Sequence, residues 1–238
     1  MTDEPAVSSY YRRVVGGRPS SRRVASERYQ HDVGQIISRS GSPRDQSTSF
    51  SRDHRITRDE YHLEKNFRNI GCDEELAQLF GVEAGELLLE RRFVFYSKGI
   101  PQQLSISYLL LALVDGTPVA DPANEPWPGG TVAQLGTLGI FVSRVEESVA
   151  ARMPLAEEEK MLCIPVGVPV LTLTRRMLAG PDRDHVVEVA NIVIPADRTV
   201  LEYSIDLQVW PDPVRTFYQS HGDDRTAGLP RDVRHRNA

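Results

Sequence analysis

The chain has 238 residues, 40% hydrophobic and 26% charged, with a formal net charge of −5. That is enough for one good-sized core and an appendage, and no run approaches the ~18 apolar residues that a membrane-spanning helix needs. The charge is uneven: residues 1–60 carry 11 arginines against 8 acids (+3), residues 61–210 carry 12 basic against 21 acidic residues (−9), and residues 211–238 carry 5 arginines against 4 acids (+1), so the acidic body repels a phosphate backbone and nucleic-acid contact must come from the ends or from another chain.

The opening MTDEPAVSSYYRRVV places acids ahead of any apolar run and is no secretory signal. Two cysteines, Cys72 and Cys163, form neither a disulfide framework nor a metal site; small core fillers in a reducing cytoplasm are the simpler reading. Residues 1–55, with GGRPSSRR and SRSGSPRDQSTSFSRDHR, are rich in Ser, Arg, Gly and Pro and lack apolar periodicity. They read as a flexible arm or linker with one short helix in ERYQHDVGQII. Its arginines suit either nucleic-acid contact or a solvated linker.

Residues 56–210 read as one domain. YHLEKNFRNI alternates as a strand, and Asp73 caps a helix in DEELAQLFG that buries Leu76, Leu79 and Phe80 and stops at Gly81. A hairpin follows, then the proline-rich DPANEPWPGG, a short helix in TVAQLGTLG and a long strand in GIFVSRVEESVAARM. PLAEEEKMLCI is a helix with acids in its first turns, and VPVLTLTRRML, HVVEVANIVIP and TVLEYSIDL are three closing strands. Residues 211–238 form a polar C-terminal tail. Hairpins dominate and helices are few, which predicts an α+β domain with a mostly antiparallel sheet and helices packed on it.

The hairpin LLLERRFVFYSKGIPQQLSISYL carries two adjacent arginines. A two-residue turn at Lys98-Gly99 places Ser97 opposite Ile100. Continued without interruption, that register sets Phe93 against Leu104, Arg91 against Ile106 and Leu89 against Tyr108 on an apolar face. The other face then holds Arg92 opposite Ser105, Glu90 opposite Ser107 and Val94 opposite Gln103. Arg92 among hydroxyls and amides could grip a carboxylate or phosphate, or pair with Glu90 on a solvated face. Arg91 is the misfit of this register, and a strand edge or a β-bulge would relieve it.

Gly129 and Gly130 run into a helix that Thr131 could cap, where exposed amides favour an anion; a tight loop with an ordinary cap is the plainer alternative. Trp127 could wall a pocket or simply pack. In VLTLTRRML, Arg176 shares a polar face with Thr172 and Thr174, whereas Arg175 follows Leu171 and Leu173, and Glu188 on the next strand is a plausible ion-pair partner for either. None of the six histidines has a companion at triad or metal spacing, and no phosphate loop or dinucleotide fingerprint occurs. The pattern favours binding over catalysis, with no cofactor and no metal.

Three stretches, ELLLERRFVFYSKGIPQQLSISYL, GGTVAQLGTLGIFVSRVEESVAARMP, and GVPVLTLTRRML with VVEVANIVIPADRTVLEYSIDL, together resemble the UTRA domain, the effector-sensing domain of HutC-type regulators in the GntR superfamily. The likeness spans about Tyr61 to Leu207. It implies a chorismate-lyase-like α+β fold, a small-molecule effector pocket and a homodimer, without implying lyase activity. By position it places Arg92 towards the effector, Ser105 where many members carry a glutamate, Val94 where some carry a second anion-binding arginine, and Thr199 where a tyrosine is common. Gly130, Thr131 and Val132 stand where sugar-phosphate sensors have Ser-Leu-Tyr. These departures point to a smaller or less anionic effector anchored by Arg92, with Gln103, Ser105, Ser107, Gly130, Thr131, Arg176 and Glu188 completing the expected ligand-binding set.

Such regulators carry a winged helix-turn-helix ahead of the sensor, and residues 1–60 show no helix-turn-helix spacing. VVGGRPSSRRVASERY instead resembles the arginine-rich linker that follows the wing. The expectation is a ligand-binding regulator module whose DNA contact comes only through a missing or partner winged-helix domain, with no membrane partner. Alternatives are a stand-alone sensor or an interaction protein that heterodimerises with full-length regulators, and a lyase on the same fold, for which no general acid is visible.

Overall fold

The structure, a computed structural model, describes residues 21–24, 29, 48–180, 182 and 185–203. The expected tail over 211–238, most of the expected arm over 1–55, and the expected helix in ERYQHDVGQII apart from Tyr29 lie outside the described residues.

Six strands form one sheet: β2 (Tyr61–Gly71), β3 (Leu87–Ser97), β4 (Ile100–Leu110), β5 (Val142–Arg152), β6 (Val170–Ala179) and β7 (His185–Pro195). Their order is β2-β3-β4-β7-β6-β5, and every neighbouring pair is antiparallel. This is the α+β architecture expected from the hairpin-rich pattern. A second, two-stranded sheet joins β1 (Ser21–Val24) in parallel to β8 (Thr199–Glu202). A strand and a short helix, α1 (Ser49–Asp53), thus occur within the stretch whose composition reads as an arm. No apolar periodicity announces either one. No described helix is long and apolar enough to cross a membrane.

The sheet has two differently covered faces. On one, α2 (Glu74–Phe80) buries Leu76, Ala77 and Phe80 against Leu88, Tyr108 and Val189. On the same face, Leu162 of α5 (Ala156–Leu162) meets Val94, Leu104 and Val193. On the other face, α4 (Gly130–Thr137) sets Val132 and Leu135 against Leu89, Leu109 and Met177, together with Val114 of α3 (Leu111–Val114). Each helix lays one apolar stripe on the sheet, which is how short helices gain stability that they lack alone.

Both caps of α2 are legible in the sequence. Asp73 accepts a hydrogen bond from the Leu76 amide at 2.8 Å, and Gly81 closes the helix at φ 73°, a left-handed conformation that costs glycine little. In α5, Glu158 reaches back to the Leu155 amide at 2.8 Å while pairing with both terminal nitrogens of Arg152 at 2.7 Å. The cysteines part company. Cys72 is buried, its thiol donating to the Glu83 carbonyl at 3.2 Å, as expected of a core filler, but Cys163 is exposed at the left-handed C-cap of α5.

The β3–β4 hairpin turns at Lys98 and Gly99, both left-handed, and Ser97 does face Ile100. Beyond that point the uninterrupted register fails. Tyr96 pairs with Pro101 but Phe95 pairs with Gln103, so Gln102 is one extra residue in β4. From there Phe93 faces Ser105, Arg91 faces Ser107 and Leu89 faces Leu109, while Arg92 faces Ile106 and Glu90 faces Tyr108. Because side chains alternate along a strand, one inserted residue moves every later side chain of β4 to the opposite face. The bulge sends Leu104 and Tyr108 under the helices and brings Gln103, Ser105 and Ser107 to the face of Arg91. The conflict that set Arg91 against an apolar row is resolved in this way.

Two outcomes follow from the caps. Asp73→Ala is expected to lower the unfolding free energy by about 1 kcal/mol in urea titrations; an unchanged midpoint would show that the Leu76 amide finds another acceptor. The Arg152 hydrogen bonds, together with the Leu155 amide, outweigh burial and hold the Glu158 carboxyl below its ordinary 4.5. A depressed carboxylate adds stability above its unfolded-state pKa, and this is lost as pH falls through the lower folded-state value. Glu158→Gln should therefore flatten the acid limb of the stability–pH profile below pH 4.5 and leave its shape unchanged near neutrality; an identical acid limb would remove this clasp from the account.

Candidate ligand-binding site

The strand pairings set Phe67, Arg91, Ser107, Ala190, Arg175 and Glu147 in one row across the sheet, on the face that carries α4. Two arginines in such a row need acceptors, because Arg91 and Arg175 are both buried and a buried cation without a partner is costly. The acceptor is Glu188, one residue pair along and fully buried. Its carboxylate receives Arg175 Nε at 3.1 Å and Nη2 at 2.8 Å, the Ser107 hydroxyl at 2.7 Å and the Thr131 hydroxyl at 3.1 Å.

Arg91 lies 3.5 Å from the same carboxylate. It donates to Gln134 Oε1 at 2.7 Å, Ser107 Oγ at 2.8 Å and Thr131 Oγ1 at 3.1 Å. Its guanidinium carbon sits 5.9 and 5.7 Å from the ring centroids of Phe67 and Phe93, within cation–π range. Gln134 passes the network on to Glu125, whose second oxygen accepts the Trp127 amide at 2.8 Å. On the other side, Arg23 of β1 and the Tyr29 hydroxyl both bond to Glu147.

Burial pulls the Arg91 guanidinium below its ordinary range, against the opposing effect of Glu188 and Glu125. For Arg175 burial acts in the same direction, but Glu188, Tyr29 and Glu147 outweigh it and the net shift is upward. Both groups remain cations, since guanidinium does not lose its proton in proteins. Burial, reinforced by Glu125, raises the Tyr61 phenol, which is therefore neutral and available as a donor.

Above this polar layer lies a cavity of about 100 Å³. Its floor is Gln103, Ser105 and Ser107 of β4 with Arg175 of β6. Thr131, Gly130, Trp127 and Glu125 close one side, and Tyr61, Leu63, Phe93, Phe95 and Phe50 form an aromatic and apolar wall. Apolar walls with a few converging polar groups are the usual composition of small-molecule sites. A larger groove of about 850 Å³ opens at another part of the sheet, between Phe80, Leu110, Phe141 and Val187. Its lining is apolar apart from Ser143 and His185, so little there would orient a ligand. Among the described residues no cluster of metal-ligating side chains occurs.

Of the residues singled out from sequence, Gln103, Ser105, Ser107, Gly130 and Thr131 line the cavity, and Glu188 lies beneath it. Arg92 does not. It projects from the opposite face, paired with Glu157 of α5 at 2.8 Å and beside Met161. Arg176 is likewise on the far face, 3.4 Å from Glu146. In both doublets the other arginine, Arg91 or Arg175, faces the site. Glu188, open to either Arg175 or Arg176 from sequence, takes Arg175.

Val94 is buried under α5 rather than in the cavity. Thr199 lies in β8, 2.8 Å from the Ser21 hydroxyl. Sequence reasoning missed Arg91, Arg175 and the wall from Phe50 to Phe95. The available signal was that both arginines alternate with apolar residues, the mark of burial, in a domain whose neighbouring strand supplies a carboxylate.

Known proteins share this fold. The UTRA domain family matches residues 66–200. A crystal structure of a protein described as a GntR-family transcriptional regulator superposes with a TM-score of 0.59 at 28% identity. The match covers 67% of this chain and 64% of that one, so the chain spans under two thirds of that regulator's length. PhnF from Mycobacterium smegmatis gives 0.58 at 17% identity over 81% of this chain and 74% of its own. The C-terminal domain of the histidine utilization repressor from Pseudomonas syringae pv. tomato str. DC3000 gives 0.53 at 21% identity over 62% and 99%. The last two show a shared fold. No curated protein matches the chain.

The buried ion network makes a sharp stability prediction. Glu188→Leu strands Arg175 and Arg91 without their shared counter-ion and should cost about 3–5 kcal/mol. Pairing it with Arg175→Met should recover a large part of that loss. Chemical denaturation of the two single variants and the double variant measures the coupling, and strictly additive losses would show that the two side chains do not act as a pair.

Proposed function

This chain belongs to the UTRA domain family, and we propose on that basis that it is the small-molecule-sensing part of a GntR/HutC-type transcriptional regulator, with the cavity above Arg175 and Ser105 as its effector site. The observation that carries this reading is the convergence of hydroxyl, amide and guanidinium groups on one aromatic-walled space. Its volume of about 100 Å³ is below the ~300–1,000 Å³ typical of ligand sites. It therefore suits a compact effector, or one whose entry widens the space. Arg175 offers a cation, and Ser105, Ser107 and Gln103 offer hydroxyl and amide hydrogen bonds, a set that suits a small carboxylate or amide.

Recognition without turnover is the reading supported by the state of the two carboxylates. Both oxygens of Glu188 accept hydrogen bonds from Arg175, with Ser107 and Thr131 adding to one of them. The two oxygens of Glu125 are taken by Gln134 and the Trp127 amide. Neither stands ready as a proton donor or acceptor for a substrate.

As a sensor the protein works by population shift: an effector that prefers one arrangement of sheet and cover biases the regulator towards it. The regulated output is DNA occupancy by winged-helix heads brought together in a dimer. The −9 charge of residues 61–210 keeps this domain itself away from the phosphate backbone.

A thermal-shift survey of small carboxylates and amides tests the proposal. A cognate compound at tens of times its Kd should raise the melting temperature by about 3–6 °C. Ser105→Phe, which fills the cavity, should abolish that response. A response that survives Ser105→Phe undiminished would place the effector elsewhere.

A further inference from the structure

Part of the cavity lining comes from outside the matched residues 66–200: Tyr61 and Leu63 of β2, and Thr48, Ser49 and Phe50 at the start of α1. A helix of five residues cannot hold itself in water, so its stability must come from what it packs on. The largest such contact is Phe50, only 2% exposed. Its ring is 5.1 Å from the Phe95 ring and 5.6 Å from the Tyr61 ring, and it stacks at 3.9 Å on His54 one turn later. Thr48 also caps Ser51 at 3.1 Å, the His54 ring meets the Phe50 carbonyl at 3.0 Å, and the helix lies against β1. A phenyl ring delivered into an aromatic slot, beside a polar floor with about 100 Å³ of remaining space, has the arrangement of a ligand supplied by the chain itself.

We propose that Phe50 is a built-in occupant of the effector cavity, filling the slot between Phe95 and Tyr61 that the ring or compact apolar body of an effector takes when α1 withdraws. The inference rests on the reading of this cavity as the effector site and adds two things to it. The first is ligand class: a polar head for Gln103, Ser105 and Arg175 joined to a ring-sized apolar body. The second is a specificity-determining residue, since an effector that outgrows the residual space must expel Phe50. The consequence reaches further along the chain, because α1 lies against β1 and β1 in turn ties Arg23 to Glu147 at the end of the site's own row. Expelling Phe50 therefore acts on the segment that precedes the domain.

The test uses the full chain as wild type, Phe50→Leu and Phe50→Ala, with toluene as a probe that needs no knowledge of the natural effector. Apolar cavities of about 150 Å³ in protein cores bind benzene-sized molecules. Toluene should raise the melting temperature of Phe50→Ala by about 3 °C, raise that of Phe50→Leu less, and leave the wild type unmoved. Amide exchange at His54 and Ile56, whose N–H groups bond within α1 and its C-terminal turn, should quicken at least tenfold in Phe50→Ala while the amides of β3 and β4 keep their protection. Equal toluene shifts in wild type and Phe50→Ala, or no shift in either, would overturn the proposal. So would undiminished protection of His54 and Ile56, or global unfolding of both variants, which would make Phe50 an ordinary core residue. The Ser105→Phe response to metabolites reports on the effector site as such, so the two readings fail separately.

Discussion

The carboxylate of Glu188, fully buried in the middle of the sheet, sets the conditions for everything around it. It binds Arg175 from β6, Ser107 from β4 and Thr131 from α4, and stands 3.5 Å from Arg91 of β3. Four elements are thus tied to one anion. Such a network is costly to assemble, since each charge loses its water, and costly to break, since any single loss leaves a bare charge inside. Its value lies in specificity of arrangement more than in net stability: α4 can sit over the sheet in only one register if Thr131 and Gln134 are both to meet their partners.

That arrangement divides labour between the two faces. Under α2 and α5 the sheet is a conventional apolar core. On the opposite face the core continues at one end, through Leu89, Leu109, Met177 and α4, and gives way to hydroxyls, amides and guanidinium where the cavity lies. The network also leads outward. From Glu188 it passes through Arg175 to Glu147, and from there to Arg23 on β1. A ligand that competed for Arg175 would disturb a chain of alternating charges that ends on the preceding segment. Together with Phe50 this gives the preceding chain two attachments to the site, one polar and one aromatic.

Much of this was legible in the sequence. Alternation located β2 to β7, and their order in the chain gave the antiparallel α+β class. Asp73 and Gly81 bounded α2 because capping chemistry is local. Gln103, Ser105 and Ser107 stood out as the polar face of the hairpin, Gly130 and Thr131 as a helix start and Glu188 as an ion-pair partner, and all converge on the site. Arg92 and Arg176 stood out because alternation set each of them on a polar face, and they were misleading. Each lies on the face where a surface helix or an edge strand supplies an acid, the exposed Glu157 or the half-buried Glu146.

What the sequence alone determined was therefore part of the inventory: the six strands of the main sheet, both caps of α2 and several of the polar side chains that the site gathers, but not β1, α1 or α3. Only the tertiary structure decided which arginine of each pair faces inward. In the hairpin that decision depends on one extra residue, Gln102, whose insertion reverses the faces of β4 beyond it. A bulge is favoured when it satisfies burial on both faces at once, and that condition involves α2, α5, β7 and α4, none of which is local to the hairpin. The same holds for Phe50: nothing near it in the chain marks it as buried, because its environment is made by Tyr61 and Phe95 once the sheet has formed.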